Sequence, residues 1–231
     1  DPKTGHPVDG IPFHPYYTVK DTLGLVAFLI VFCVIVFFLP EFGGYFLEYN
    51  NFIPADPLKT PSHIAPVWYF TPFYSILRAV TEDFMIFLAL GVAAYVALIW
   101  RTVRDFRIKV VAAAVGAVVI FFMKGPDRFV LDPKVWGVVL MGAGTLIYFL
   151  LPWLDRSPVK SIRYKGPLTK TTLALFVISF CILGYLGTLS VTEGRTYAAQ
   201  VFTLVYFAFF LLMPWYTAMD KTKPEPTRVT G

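Results

Sequence analysis

The side chains able to do chemistry are few. The chain has three histidines, His6, His14 and His63, and two cysteines, Cys33 and Cys181. No histidine lies inside an apolar run long enough to cross a membrane. Facing helices of this chain therefore cannot supply the paired imidazoles that hold a haem iron. There is no Cys-x-x-Cys pair or zinc-type cluster, so no metal site is expected. No Ser-His-Asp layout or phosphate loop is present either. Both cysteines fall in apolar runs and read as small buried hydrophobes. Among the acidic residues, Asp21 stands out, directly after Lys20 at the start of the first apolar run. Its plain reading is a carboxylate favoured by the positive end of a helix. Its sharper reading is a ligand group at the mouth of a helix bundle. Phe13, His14, Tyr16 and Tyr17 precede it, and on the plain reading they form an interfacial aromatic belt.

A second group lies between residues 60 and 79. This stretch is aromatic and Pro-studded, too interrupted to span a bilayer and too apolar for an ordinary exposed loop. Trp68 to Val80 reads as a short amphipathic helix with Pro72 in its first turn. Thr71, Ser75 and Arg78 form a polar stripe. Tyr69, Phe70, Phe73, Tyr74 and Leu77 form an apolar one.

The elements that must position these residues are membrane helices. The 231-residue chain is 57% hydrophobic and only 15% charged, and its mean hydropathy is +0.64. Soluble domains carry about 25% charged residues. The net charge of +5 does not imply nucleic acid, because the basic residues cluster beside apolar runs. Six runs approach the roughly 20 residues that a crossing helix needs: Thr22–Leu39, Asp83–Trp100, Val110–Met123, Val135–Trp153, Thr171–Leu189 and Ala198–Trp215. The third is the shortest. The runs do not alternate, which favours an all-α polytopic bundle over a barrel. With six crossings, fourteen Lys and Arg fall on the side of both termini and six on the other. The positive-inside rule then places both termini in the cytoplasm. The long loop Pro40–Pro66 and the short aromatic helix fall on the opposite face.

Ile-Pro-Phe-His-Pro-Tyr-Tyr-Thr-Val-Lys-Asp (Ile11 to Asp21) resembles the entry to the fifth helix of cytochrome b. Pro54-Ala-Asp-Pro-Leu-Lys-Thr-Pro61 resembles the loop after that helix. Thr60 to Ala79 resembles the family's quinol-pocket segment, whose usual core is Pro-Glu-Trp-Tyr. Leu151-Pro-Trp-Leu-Asp-Arg-Ser-Pro158 resembles the end of the sixth helix. In order, these anchors cover most of the chain. They identify residues 1–231 as similar to the C-terminal half of a proteobacterial cytochrome b.

That resemblance implies a part of a quinol–cytochrome c reductase in the bacterial inner membrane, not active alone. It implies ubiquinol oxidation at an extracytoplasmic pocket lined by Ile64, Pro66, Val67, Trp68, Tyr69, Phe70, Phe73 and Tyr74. Tyr74 would be the hydroxyl donor. It implies quinone reduction at a cytoplasmic pocket, where Phe13 stacks on the ring, Asp21 bonds a quinone oxygen and Lys20 supplies charge or a proton relay. Two b-type haems would be ligated in the N-terminal half of cytochrome b, outside this chain. The chain would be a fragment or one part of a split subunit. A Rieske iron–sulfur protein, a cytochrome c1-type subunit, membrane lipid and a second copy of the complex would be the partners.

Two departures matter. Residues 81–132 have no counterpart in the common mitochondrial pattern and read as an inserted transmembrane hairpin. Valine at position 67 stands where the family usually has Glu, so a proton from quinol must leave by another group. Tyr74, Tyr69, His63, Asp56 and Glu82 are candidates. A non-catalytic membrane scaffold or transporter subunit explains the spans equally well. It does not explain Ile11–Asp21 and Thr60–Ala79 together.

Overall fold

A computed structural model describes residues 3, 5, 10–42, 47, 53–59, 64–123 and 132–225. The chain divides into two compact units, residues 1–64 with 224–231, and residues 65–223. In the first unit, α1 (Tyr16–Phe38) is a 23-residue helix with no buried residue. It is apolar on every side, as a helix facing lipid or a partner must be.

The second unit contains α2 (Thr71–Ala79), α3 (Glu82–Thr102), α4 (Phe106–Met123), α5 (Pro133–Leu146), α6 (Leu151–Leu154), α7 (Pro167–Thr188), α8 (Glu193–Leu211) and α9 (Met213–Met219). Helices α1, α3, α4 and α7, and the continuous stretch Pro133–Leu154, are each long and apolar enough to cross a membrane. Two expected spans differ in detail. The fourth changes to a tighter 3-10 turn over Ile147–Leu150. Pro152 follows, and it has no N–H to offer the Tyr148 carbonyl one turn back. The expected span Ala198–Trp215 starts earlier, at Glu193, and is bent by 60° between α8 and α9. Pro214 explains the break, because its ring excludes the Phe210 carbonyl one turn back. The short third span gains a turn, starting at Phe106 rather than Val110. Its N-terminus is capped by Asp105, which accepts from the Arg107 N–H at 2.9 Å.

Helix α2 sits at the centre, packed on α7, α5 and α8. It begins three residues later than expected, after a turn over residues 68–70. Its buried face is Thr71, Pro72, Ser75, Ile76 and Ala79. Of the expected polar stripe, Thr71 and Ser75 face in, beside Ile76, while Phe73, Tyr74 and Leu77 of the apolar stripe are half-buried and Tyr69 is exposed. The reason is close approach. A Cβ added at Gly187 of α7 would overlap the Thr71 carbonyl, and one at Gly137 of α5 would lie 2.6 Å from the Leu77 carbonyl oxygen. Without a water-driven hydrophobic force, membrane helices associate through such small-residue contacts.

Around this contact lies an aromatic core. Phe176 stacks on Phe209 at 4.5 Å and meets Phe210 edge-on at 5.3 Å. Tyr206 is fully buried, and its hydroxyl donates to the Gly144 carbonyl at 2.7 Å. Helices α3 and α4 pair as a hairpin. A cluster of Val80, Phe84, Met85, Met123 and Trp136 fastens the pair to α5.

The far end of the unit is closed by Asp220. Its carboxylate accepts from the N–H groups of Leu168 (3.2 Å) and Thr169 (3.1 Å), at the start of α7. Burial pushes the Asp220 carboxyl up, but the hydrogen bonds from Thr169 and Leu168 outweigh it and hold the group below its ordinary value.

Two outcomes follow. Gly187→Ala should lower the stability of the purified assembly by about 1–3 kcal/mol through overpacking. Gly91→Ala, which meets open space, should leave it unchanged or raise it by about 0.5–1 kcal/mol. Thermal melts in detergent check both. A lowered carboxyl pKa contributes stability above the unfolded value of about 3.9 and loses it as pH falls through the folded value. The acid-induced drop in melting temperature below about pH 4 should therefore be smaller in Asp220→Asn than in wild type, with the variant less stable at neutral pH.

Candidate functional site

The expected site residues fall in both units: Phe13, Lys20, Asp21 and Ile64 in the first, and Pro66 to Tyr74 in the second. Each group is built by its own local structure.

At the start of α1, the Phe13 carbonyl accepts from the Tyr17 N–H at 2.8 Å and the Thr18 N–H at 3.3 Å. This turn stacks the Phe13 ring on Tyr17, with centroids 6.0 Å apart. The Lys20 ammonium lies over the same Tyr17 ring, 5.4 Å from its centroid. A ring, a second ring and a cation thus form one column along the helix face. Tyr17 joins Phe13 to Lys20, a role hidden when it was read only as interfacial belt. The signal was its i+4 spacing from Phe13. His14 Nδ1 lies 3.3 Å from the Thr18 hydroxyl. Asp21 is exposed and has no hydrogen-bond partner among the described residues. Ile64 is also exposed.

In the second unit, the Phe70 N–H donates to the Val67 carbonyl at 2.8 Å. The Thr71 hydroxyl donates to the Trp68 carbonyl at 2.7 Å. Together with Pro72, these bonds set the turn that opens α2. The turn leaves Trp68 67% and Tyr69 62% exposed. Their rings meet edge-on at 5.7 Å. Phe70 and Phe73 lie 5.9 Å apart, and Phe73 continues to Phe180 of α7 at 5.9 Å. The segment is therefore an aromatic ledge anchored at its inner end and open at its outer end. Pro66 is half-buried. Val67 is 49% exposed and offers no polar group.

Tyr74 lies beneath Arg78, whose guanidinium carbon is 5.0 Å from the ring centroid. Arg78 in turn donates to the carbonyls of Leu186 (3.2 Å) and Leu189 (3.0 Å) at the end of α7. It uses the orphan acceptors that every helix C-terminus carries. Sequence reasoning placed Arg78 on the polar stripe but missed this fastening. Gln200 completes the corner, donating to the Ala79 carbonyl and the Thr81 hydroxyl, both at 3.0 Å. Ser75 Oγ and Arg78 Nε are buried and without partners among the described residues. Both border a cavity of about 10 Å³ that Arg195 and Thr196 also line, which is room for about one water.

Of the candidate proton acceptors, Tyr74 and Tyr69 belong to this ledge. Glu82 lies in the exposed first turn of α3. Asp56 belongs to the first unit, where it accepts from the Leu58 N–H at 2.9 Å. His63 lies outside the described residues. Among the described residues no histidine stands in a crossing helix, so the described helices do not fit bis-imidazole ligation of a haem.

A family model described as "Cytochrome b(C-terminal)/b6/petD" matches residues 54–131 and 100–207. Cytochrome b of Allochromatium vinosum is 47% identical over 97% of this chain and 43% of its own length. Cytochrome b of Rhodospirillum rubrum is 38% identical over 97% of this chain and 42% of its own. A solved chain titled "Hyperthermophilic respiratory Complex III" superposes with a TM-score of 0.63 at 30% identity, covering 94% of this chain and 41% of that one. The chain thus spans less than half the length of these relatives. With its membrane helices and its family match across the central region, the chain belongs to the cytochrome b C-terminal family.

Proposed function

We propose that this chain is the quinone-binding C-terminal part of cytochrome b in a quinol–cytochrome c oxidoreductase. The observation that carries the reading is the aromatic ledge of residues 66–74, held against α7 by the inward face of α2 and by Arg78. A quinol needs apolar walls for its ring and tail and few polar groups for its oxygens. Trp68, Tyr69, Phe70 and Phe73 supply the walls, together with Pro66 and Val67. Tyr74 supplies the hydroxyl.

In this mechanism, quinol oxidation releases two protons and two electrons. The acceptors of those electrons, a Rieske iron–sulfur protein and b-type haems in the complete subunit, would be held outside this chain. The work of this chain is positional. The anchored turn presents the ring to its partner subunit, and the ledge excludes water from it. The Tyr74 hydroxyl hydrogen-bonds a quinol oxygen while Arg78 holds the phenol ring in place. Val67 cannot accept a proton, so release runs from the quinol hydroxyl through Tyr74 or water. The small polar cavity at Ser75 and Arg78 offers a place for such a water. In the quinone-reduction pocket, the Phe13–Tyr17–Lys20 column stacks against quinone and adds positive charge. Asp21, exposed and unengaged among the described residues, is free to bond a quinone oxygen and deliver protons. A cytochrome c1-type subunit and a second complex complete the assembly, in the bacterial inner membrane with both termini of this chain cytoplasmic. The α3–α4 hairpin is an insertion in the family pattern.

Two measurements test the site. The assembled wild-type enzyme should oxidise quinol without a carboxylate at position 67. If wild type were inactive and only Val67→Glu turned over, rerouted proton release would be wrong. Tyr74→Phe should lower kcat/KM for quinol oxidation about tenfold, the loss of one hydrogen bond worth about 1.4 kcal/mol. An unchanged kcat/KM would remove Tyr74 from the site.

A further inference from the structure

A cleft of about 410 Å³ lies at one end of the second unit and shares no lining residue with the aromatic ledge. Its walls come from the C-terminal end of α3, the loop leading to α4, the loop after α6, and α9. Ile99, Val103, Pro214 and Met219 give it apolar surface, and Arg104 and Arg156 bring two guanidinium groups to it.

The cleft is built rather than incidental. Trp215 Nε1 donates to the Thr102 hydroxyl at 3.0 Å, tying α9 to the end of α3. The Trp215 ring meets Tyr95 edge-on at 5.8 Å. The Arg156 N–H donates to the Thr217 hydroxyl at 3.1 Å, which fixes the loop after α6 against α9. The bend before α9 turns Trp215 and Met219 toward this wall.

The positive charge here is not neutralised by its neighbours. Neither Arg104 nor Arg156 forms an ion pair among the described residues. The adjacent carboxylates are engaged elsewhere: Asp105 caps α4 through the Arg107 N–H. Asp155 pairs with Lys165 and accepts from the Ser157 N–H. Arg101, Arg107 and Lys109 flank the cleft in sequence but do not line it. A pocket of this kind, basic at the rim and apolar within, sits where crossing helices end. It matches the head and upper tail of an anionic lipid.

We propose that this cleft binds an anionic glycerophospholipid. The phosphate lies between Arg104 and Arg156, and an acyl chain covers Ile99, Val103 and Met219. Because α3 and its loop supply half the walls, the lipid would also seat the α3–α4 hairpin against α9.

The test uses the assembled complex reconstituted in nanodiscs of equal phosphatidylglycerol and phosphatidylcholine, then released into mild detergent. Native mass spectrometry counts the lipid retained. Wild type should keep phosphatidylglycerol in preference to phosphatidylcholine. The Arg104→Gln/Arg156→Gln double variant should retain about tenfold less, and the Arg104→Lys/Arg156→Lys pair should keep most of it. Arg107→Gln removes the same charge outside the cleft and should change nothing. Equal retention in the Gln pair, or an equal loss in Arg107→Gln, would overturn the proposal. So would displacement of the lipid by millimolar inorganic phosphate, which would mark a free-phosphate site. If the Gln pair fails to assemble, competition on wild type decides: exchange by excess phosphatidylcholine overturns the lipid site, and resistance to it supports it.

Discussion

The second unit depends on one close approach, that of α2 to α7. At Gly187 the backbone of α7 comes so near the Thr71 carbonyl that no side chain fits between them. Gly184, one turn earlier, faces Pro72 more loosely, with 3.5 Å between the proline ring and the place a Cβ would take. The contact is short because both helices present small groups. Arg78 then crosses from α2 to the free carbonyls at the end of α7, and Gln200 reaches from α8 to the end of α2. In a membrane, where apolar surface gains little by leaving lipid, such packing and hydrogen bonding decide which helices associate.

This contact also determines what the aromatic segment can do. Because the small and polar stripe of α2 is used for packing, the aromatic rings before it are left outward. Phe73 remains attached to the core through Phe180, while Trp68 and Tyr69 stay exposed. A ledge with a rigid inner end and an open outer end suits a flat ring brought by diffusion through lipid. Buried aromatic residues would have made a core and no site. Arg78 serves both ends of this arrangement, holding α7 with its nitrogens and Tyr74 with the face of its guanidinium.

Proline has a second structural part. Pro152 tightens the end of one crossing stretch, and Pro214 bends another by 60°. Both irregularities lie near the loop that carries Arg156, and the bend sends Trp215 to Thr102. The arginine-lined cleft exists because the last helix does not run straight. Its chemistry is distinct from that of the ledge: charge at the rim of an apolar hollow, set by loops and helix ends.

Much of this was legible in the residues themselves. Apolar runs of about 20 residues have one stable outcome in a bilayer, because a backbone without water must satisfy its own hydrogen bonds. The spans, the all-helical class, the short helix at Pro72 and the family resemblance therefore follow from the sequence alone. The i+4 spacing that stacks Phe13 on Tyr17 was also readable. What the tertiary structure alone decided was direction. Hydropathy divides α2 into two stripes without saying which one packs; the fold buries Thr71, Ser75 and Ala79 with Ile76 and leaves Phe73, Tyr74 and Leu77 half-buried, because helix approach is governed by the smallest facing groups rather than the most apolar. The partner of Arg78, the small polar cavity and the cleft at Arg104 and Arg156 share that origin. Each joins residues more than 50 positions apart, and no local pattern of residue types encodes which distant backbone will leave a carbonyl or a hollow beside them.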